Sequence, residues 1–218
     1  MEIFPLGHAS FKLKGKAAVV VTDPYDPDMV GLKFPKHTLA DVVTVSHAHP
    51  DHNFINAVDQ GETEMVVISG PGEYEVKGVD ILGIAAFHDP NGGKDRGKNT
   101  LYRIDIDGIS VVHLGDLGHK LTEEQEAAVG SVDVLFIPVG GFYTIDAKMA
   151  VEVVTALEPA IVVPMHYQRA ELDPQVFQGL ASVSLFLKEM GKEGLMPQPK
   201  LKVTKDTIPE ETQVVVLE

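Results

Sequence analysis

The apolar run Val42-Val43-Thr44-Val45 leads straight into Ser46-His47-Ala48-His49-Pro50-Asp51-His52. A chain with this segment must end a buried strand in a dense polar cluster, with four nitrogen and oxygen donors between positions 47 and 52. Side chains of an extended chain alternate between faces, so His47 and His49 point the same way, and a turn after them brings Asp51 and His52 to a second position nearby. Donors of these types at this density are those that zinc accepts, and the spacing favours two adjacent metal ions.

Composition narrows the chemistry further. The 218 residues include no cysteine, so thiolate nucleophiles, iron–sulfur clusters and thiolate zinc sites are excluded, and any metal must use histidine and carboxylate. Eighteen Lys and Arg stand against 32 Asp and Glu, for a formal charge of −14, which repels phosphate backbones and anionic membranes. We therefore expect no nucleic-acid partner and no membrane partner. The N-terminus lacks a basic region followed by an apolar stretch, and no apolar run approaches the roughly 18 residues of a span, so the cytoplasm is the expected location. Length and apolar content predict a single domain over residues 1–218.

Strand-like runs bounded by turn residues fill the first half: Ser10 to Leu13, Ala17 to Thr22, Asp41 to Ser46, Met65 to Ser69, Glu73 to Val76, Val79 to Phe87, Leu101 to Ile106 and Ile109 to Leu114. Lys14-Gly15-Lys16, Lys77-Gly78 and Asp107-Gly108 read as hairpin turns, making this half mostly antiparallel. From Thr122 the pattern alternates. A helix opens on the capping-box sequence Thr122-Glu123-Glu124-Gln125, and Val132 to Val139 is a buried strand. Asp146 to Leu157 is a helix and Ala160 to Pro164 a strand. Asp173-Pro174 starts a helix of about Pro174 to Met190, and strands follow at Lys200 to Thr204 and Thr212 to Leu217. Strands first and alternation second predict two face-to-face sheets with helices outside.

The pattern His-x-His-x-Asp-His at His47, His49, Asp51 and His52 resembles the signature of the metallo-β-lactamase-fold superfamily of metal-dependent hydrolases. That resemblance implies an α/β fold, a four-layer αββα sandwich, with further ligands at later strand ends. His88 after Val79 to Phe87, Asp116 after the strand ending at Leu114, and His166 after Ile161 to Met165 stand at those places. By resemblance, His47, His49 and His88 hold one metal and Asp51, His52 and His166 the other, with Asp116 bridging both beside a shared hydroxide. His113 competes with His88 for the third position; His88 is favoured because it ends its strand at a glycine-rich loop. His49 stands where the flavodiiron oxidoreductases of the superfamily carry Glu, which argues against redox iron. Zinc is the expected metal, and manganese or iron accept the same ligands.

Leu6-Gly7-His8-Ala9-Ser10 and Thr22-Asp23-Pro24 resemble the subgroup that includes ascorbate-6-phosphate lactonase and the phospholipase D acting on N-acyl ethanolamine lipids. In that frame Asp23 accepts a hydrogen bond from a ligating histidine, and His8 and His113 lie just behind the ligands. Asp51 and Asp116 are the expected catalytic carboxylates. His119, three residues past Asp116, is a candidate proton donor. Tyr143 and Tyr167 are candidates for the pocket rim. Lys94, Arg96 and Lys98, a basic cluster in an acidic chain, are candidates for binding an anionic substrate. The expected activity is hydrolysis of a small ester, lactone or phosphodiester by two divalent ions. The competing expectations are a metal-binding or interaction protein without turnover and a nucleic-acid-processing enzyme. Oligomeric state is left open.

Overall fold

The computed structural model describes residues 1–60 and 64–218. Its strands are β1 (Glu2–Gly7), β2 (Ser10–Lys14), β3 (Val19–Thr22), β4 (Leu39–Ala40), β5 (Val42–Val45), β6 (Asp59–Gln60), β7 (Val66–Ser69) and β8 (Gly72–Val76). They continue with β9 (Val79–Phe87), β10 (Lys98–Ile106), β11 (Ile109–His113), β12 (Val134–Pro138), β13 (Ile161–Met165), β14 (Leu201–Lys202) and β15 (Gln213–Val214). The helices are α1 (Pro27–Val30), α2 (Glu123–Val129), α3 (Ala147–Leu157), α4 (Pro174–Phe177) and α5 (Val183–Glu189). One sheet has the order β14-β1-β2-β3-β5-β7, a second β15-β13-β12-β11-β10-β9-β8, and β4 pairs with β6 apart from both.

The sandwich follows from strands that are apolar on both faces. Along β12, Val134 and Phe136 point between the sheets, while Leu135 and Ile137 point to the helices α2, α3 and α5. In β3 and β5, Val20 and Val42 face the opposing sheet, and Val21 and Val43 face an outer layer that holds α1 and α4. Each strand thus serves two cores with period two, and continuous apolar runs are what a sheet covered on both sides requires. The result is the expected four layers.

The hairpin signals are realised: Lys77 and Gly78 have φ of 50° and 75°, and Asp107 and Gly108 have 55° and 76°, the paired positive values of a type I′ turn. Thr122 and Gln125 form the reciprocal capping box, and the Asp146 carboxylate accepts from the Met149 N–H. The helix expected over Pro174 to Met190 is instead two, α4 and α5. Phe177 and Leu180 pack under the first sheet, whereas Phe186 and Leu187 pack on the second, and one straight helix cannot serve both layers. Backbone bonds from Ala181 to Gly140 and from Gln168 to Ala181 hold the break. The last two strands are shorter than expected, at Leu201–Lys202 and Gln213–Val214. β1 was not among the expected strands because Pro5 interrupts it; the chain accommodates this proline with a bulge between Pro5 and Gly7.

Strand direction places the site. β1 and β3 both pair antiparallel with β2, and β5 runs parallel to β3. β9 and β11 both pair antiparallel with β10, and β11, β12 and β13 are parallel. So within each sheet β1, β3 and β5, or β9, β11 and β13, end on the same side. The residues just past those ends are His8, Asp23, Ser46 to His52, His88, Asp116 and His166. Among the described residues, no helix is long and apolar enough to cross a membrane.

Phe136 is fully buried between the sheets, with its ring stacked on Phe11 at 4.0 Å between centroids. Phe136→Ala is expected to destabilise the fold by about 3–5 kcal/mol, read by urea denaturation.

Candidate metal centre

Asp116 is the hub. Its Oδ2 lies 3.1 Å from His88 Nε2, 3.3 Å from His166 Nε2 and 3.9 Å from His47 Nε2, and its Oδ1 lies 3.2 Å from His52 Nε2. Donor atoms of His47, His49 and His88 all fall within 4.8 Å of one another, and so do those of His8, Asp51, His52 and His166. Two adjacent donor sets therefore flank one carboxylate. His88 belongs to the first set. His113 does not: its Nε2 donates to the Ala9 carbonyl at 2.8 Å and its Nδ1 accepts from the Gly115 N–H at 3.1 Å. His113 is fully buried, with its ring edge-on to Phe11 and Phe136, directly behind the cluster.

His8 is more central than its sequence position implied. Its Nε2 is 3.4 Å from Asp51 Oδ2, its ring centroid is 4.2 Å from that of His166, and its carbonyl accepts from the His166 N–H at 3.2 Å. His8, Asp23 and His166 all have left-handed backbone, with φ of 53°, 41° and 52°. Non-glycine residues enter that region at a cost of roughly 1 kcal/mol, and three of them at strand ends mark where the chain is bent to converge.

Behind the donors lies a relay. Asp23 Oδ1 accepts from the Ser46 N–H at 2.7 Å, and Oδ2 accepts from Ser46 Oγ at 2.5 Å and from His52 Nδ1 at 2.8 Å. Ser46 Oγ in turn accepts from His47 Nδ1 at 2.9 Å. With Nδ1 of both rings engaged by this relay, Nε2 of His47 and of His52 is turned toward Asp116. Burial by itself raises the Asp23 carboxyl, but His113 and His52 outweigh it and hold Asp23 ionised below the usual range.

The sequence reading gave no role to Asn99. Its side chain donates to the Leu114 carbonyl at 2.9 Å and accepts from the Asp116 N–H at 3.1 Å, clamping the bend that presents Asp116. The two glycines of that bend are required by close approach. A Cβ on Gly115 would lie 2.6 Å from Ser46 Cβ, and one on Gly118 would lie 2.2 Å from the His88 carbonyl carbon. The sequence carried this signal as Gly115-Asp116-Leu117-Gly118.

Electrostatics bias the protonation of the cluster. Burial pushes His8 down to about 4 and His47 down to about 3. Burial opposes ionisation of Asp116 too, yet His166 and His52 hold it well below the carboxylate range. His52 moves the other way: burial would lower it, but Asp116 and Asp51 raise it well above the imidazole range. Two carboxylates this close, Asp51 and Asp116, favour positive charge in the space between them.

The donors fit a metal. His47 Nε2, His52 Nε2, both ring nitrogens of His166 and Asp116 Oδ1 are buried with no hydrogen-bond partner among the described residues. Buried polar atoms are rarely left so, and imidazole nitrogen with carboxylate oxygen is a donor set that divalent cations take.

A cavity of about 270 Å³ opens onto the cluster, lined by His49, Asp51, His88 and Asp116 on one side and by Tyr143 and Arg96 on the other. The Arg96 guanidinium sits 5.1 Å over the Tyr143 ring and donates to the Tyr143 carbonyl at 3.3 Å. The Tyr143 hydroxyl donates to the Val176 carbonyl at 2.7 Å. The other sequence candidates lie elsewhere. Lys94 is exposed and lines neither this cavity nor the groove that holds Lys98. Tyr167 is buried among the helices, its hydroxyl on Glu218 at 3.2 Å, and does not line the cavity. His119 has both ring nitrogens engaged by backbone, Nδ1 donating to the Lys120 carbonyl at 2.7 Å and Nε2 accepting from the Phe87 N–H at 3.1 Å. It has no free ring nitrogen to offer a leaving group.

Residues 2–166 match the family described as the β-lactamase superfamily domain. The chain belongs to the metallo-β-lactamase superfamily. It is 33% identical over 205 residues to a UPF0173 metal-dependent hydrolase of Thermoplasma acidophilum, covering 83% of this chain and 91% of that protein. A crystal structure of a superfamily protein from Thermotoga maritima is 38% identical, with a TM-score of 0.77, covering 99% of this chain and 97% of that one. A metallo hydrolase from Ignicoccus hospitalis shares the fold at 22% identity, with a TM-score of 0.62 over 93% of this chain and 99% of that one. The superfamily match spans every strand end that carries a donor, from His8 to His166.

The loop carrying Arg96 is gathered around one carboxylate. Asp89 accepts from the N–H groups of Asn91, Gly93, Asp95 and Arg96 at 2.8–3.1 Å. Burial would raise this carboxyl, but the four donors pull it down to about 2. Because the folded value lies below the unfolded one, its stabilisation is complete above about pH 4 and is lost as pH falls toward 2. Asp89→Ala at neutral pH is expected to lower the amide-exchange protection factors of Gly93, Asp95 and Arg96, and acidification of the wild type through that window to lower the same protection factors once the intrinsic pH dependence of exchange is divided out.

Proposed function

We propose that the chain is a metal-dependent hydrolase that holds two divalent cations side by side. His47, His49 and His88 would hold one, and Asp51, His52 and His166 the other, with Asp116 reaching both. The observation that carries this reading is the carboxylate of Asp116 set among four imidazole Nε2 atoms at 3.1–3.9 Å. Bound there, the two cations would polarise an ester carbonyl or phosphoryl group and activate a water for attack. The all-nitrogen-and-oxygen donor set favours zinc, and the Thermotoga maritima relative carries the description of a Zn-dependent hydrolase.

The chain's own residues do the rest. Asp23 and Ser46 engage Nδ1 of His52 and His47, which leaves Nε2 of each ring as the atom that would bind a cation beside Asp116. His8, against Asp51, fixes the rotamer of that carboxylate. Arg96 is the cation that lines the cavity, which supports a small anionic ester, lactone or phosphodiester as substrate. The net charge of −14 speaks against a nucleic-acid substrate.

Elemental analysis of protein purified without chelators is expected to give about two metal ions per chain, and a chelator is expected to abolish ester or phosphodiester turnover until metal is restored. Metal binding without turnover on a broad panel would leave a binding protein instead. Asp116→Asn should bring metal content toward one ion and cut kcat by on the order of 100-fold or more. Asp23→Asn, which touches no substrate, should weaken metal affinity by about 10- to 100-fold in a metal titration. Arg96→Ala should raise KM for an anionic substrate several-fold with little change in kcat, and Lys94→Ala should leave both within about twofold, read from steady-state kinetics.

A further inference from the structure

A second, larger groove of about 790 Å³ runs from the candidate metal centre into the gap between the two sheets on the β7 side. It begins at His47 and His49 and continues between Val45 and Val67 of the first sheet and Ala85 and Phe87 of the second. His49 and Arg96 line both this groove and the smaller cavity, so the two spaces adjoin at the candidate metal centre. Its walls are apolar to an unusual degree for open surface: Val67 and Phe87 are 40% and 39% exposed. Arg96 and Lys98 stand in it as cations in a chain whose net charge is −14. Apolar walls with a few convergent polar groups, in a volume between about 300 and 1,000 Å³, are the usual make-up of a small-molecule site.

Resting on the hydrolase reading above, we propose that this groove receives the apolar body of a soluble amphiphilic ester, with its anionic group at Arg96 and Lys98 and its scissile group at the histidines. The cations and the apolar walls select together. A small polar anion would leave Val67 and Phe87 in water, and a neutral hydrocarbon would bring no anionic group to Arg96 and Lys98. A body of eight carbons is well within the volume of about 790 Å³.

The test is calorimetric titration of the metal-loaded protein with octanoate and with butyrate, which share a carboxylate and differ by four methylenes. Each fully buried methylene is worth roughly fourfold in affinity, so even a partly open groove should favour octanoate by about 10-fold or more. Val67→Glu and Phe87→Asp, both at exposed positions, should each remove most of that preference. Leu39→Glu, at an exposed leucine outside the groove, should keep it. Arg96→Ala with Lys98→Ala should weaken both acids by several-fold and preserve their ratio. Equal binding of the two acids, or a preference untouched by both groove variants, overturns the proposal. So does a dimer in solution that Val67→Glu dissociates, which would make the groove an interface between copies. Octanoate preference without hydrolysis of any ester would keep the groove and overturn the hydrolase reading, whereas hydrolysis indifferent to chain length would do the reverse.

Discussion

Asp116 is a buried carboxylate whose charge is matched only by the imidazoles around it. Taking an ion out of water costs several kcal/mol unless the surroundings return it, and here Asp51 adds a second negative charge in the same pocket. Every feature of the site can be traced to that demand. The imidazoles can answer Asp116 only if their orientation is fixed, and the Asp23–Ser46 relay fixes it for His47 and His52 by engaging their far nitrogens. The same demand draws positive charge to the space between the two carboxylates.

Convergence on one carboxylate also explains the topology. Donors that come from separate strands meet only if those strands end together, and this is secured by the mixed pairing of the sheets. Antiparallel hairpins return the chain through β2 and β10, so that β1 and β3, and likewise β9 and β11, finish on the same side. The parallel β5 and β13 add the His47–His52 loop and His166. The interleaved valines, isoleucines and phenylalanine between the sheets keep the two rows of strand ends in register. The donors therefore sit at the ends of paired strands, while Arg96 sits on a loop gathered around the Asp89 carboxylate.

The part of the site that was legible came from local pattern. His47, His49, Asp51 and His52 are close in sequence, and a strand followed by a turn puts them close in space whatever the rest of the chain does. His88, Asp116 and His166 were legible because each follows an apolar run. His119 and Tyr167 misled for the same reason: each neighbours a donor in sequence, but the backbone bonds of His119 and the Tyr167–Glu218 contact turn them to other duties. Ser46 and Asn99 gave no local signal, because their function is to join segments that only the fold brings together. The split of the Pro174 to Met190 helix was hidden in the same way, since its apolar spacing is helical throughout and the two halves face different layers.

The sequence by itself determined the donor types, the absence of thiolate chemistry, the short-range ligand cluster and the two-faced apolar strands, because composition and periodicity are local properties. Only the tertiary structure decided that His8 joins the Asp51 set, that His113 packs behind the cluster, and that of the three cations at 94, 96 and 98 it is Arg96 that reaches both cavities. Those are questions of which strand ends meet and at what angle. They are settled by sheet pairing, left-handed backbone at His8, Asp23 and His166, and glycines where Asp116 must approach Ser46 and His88.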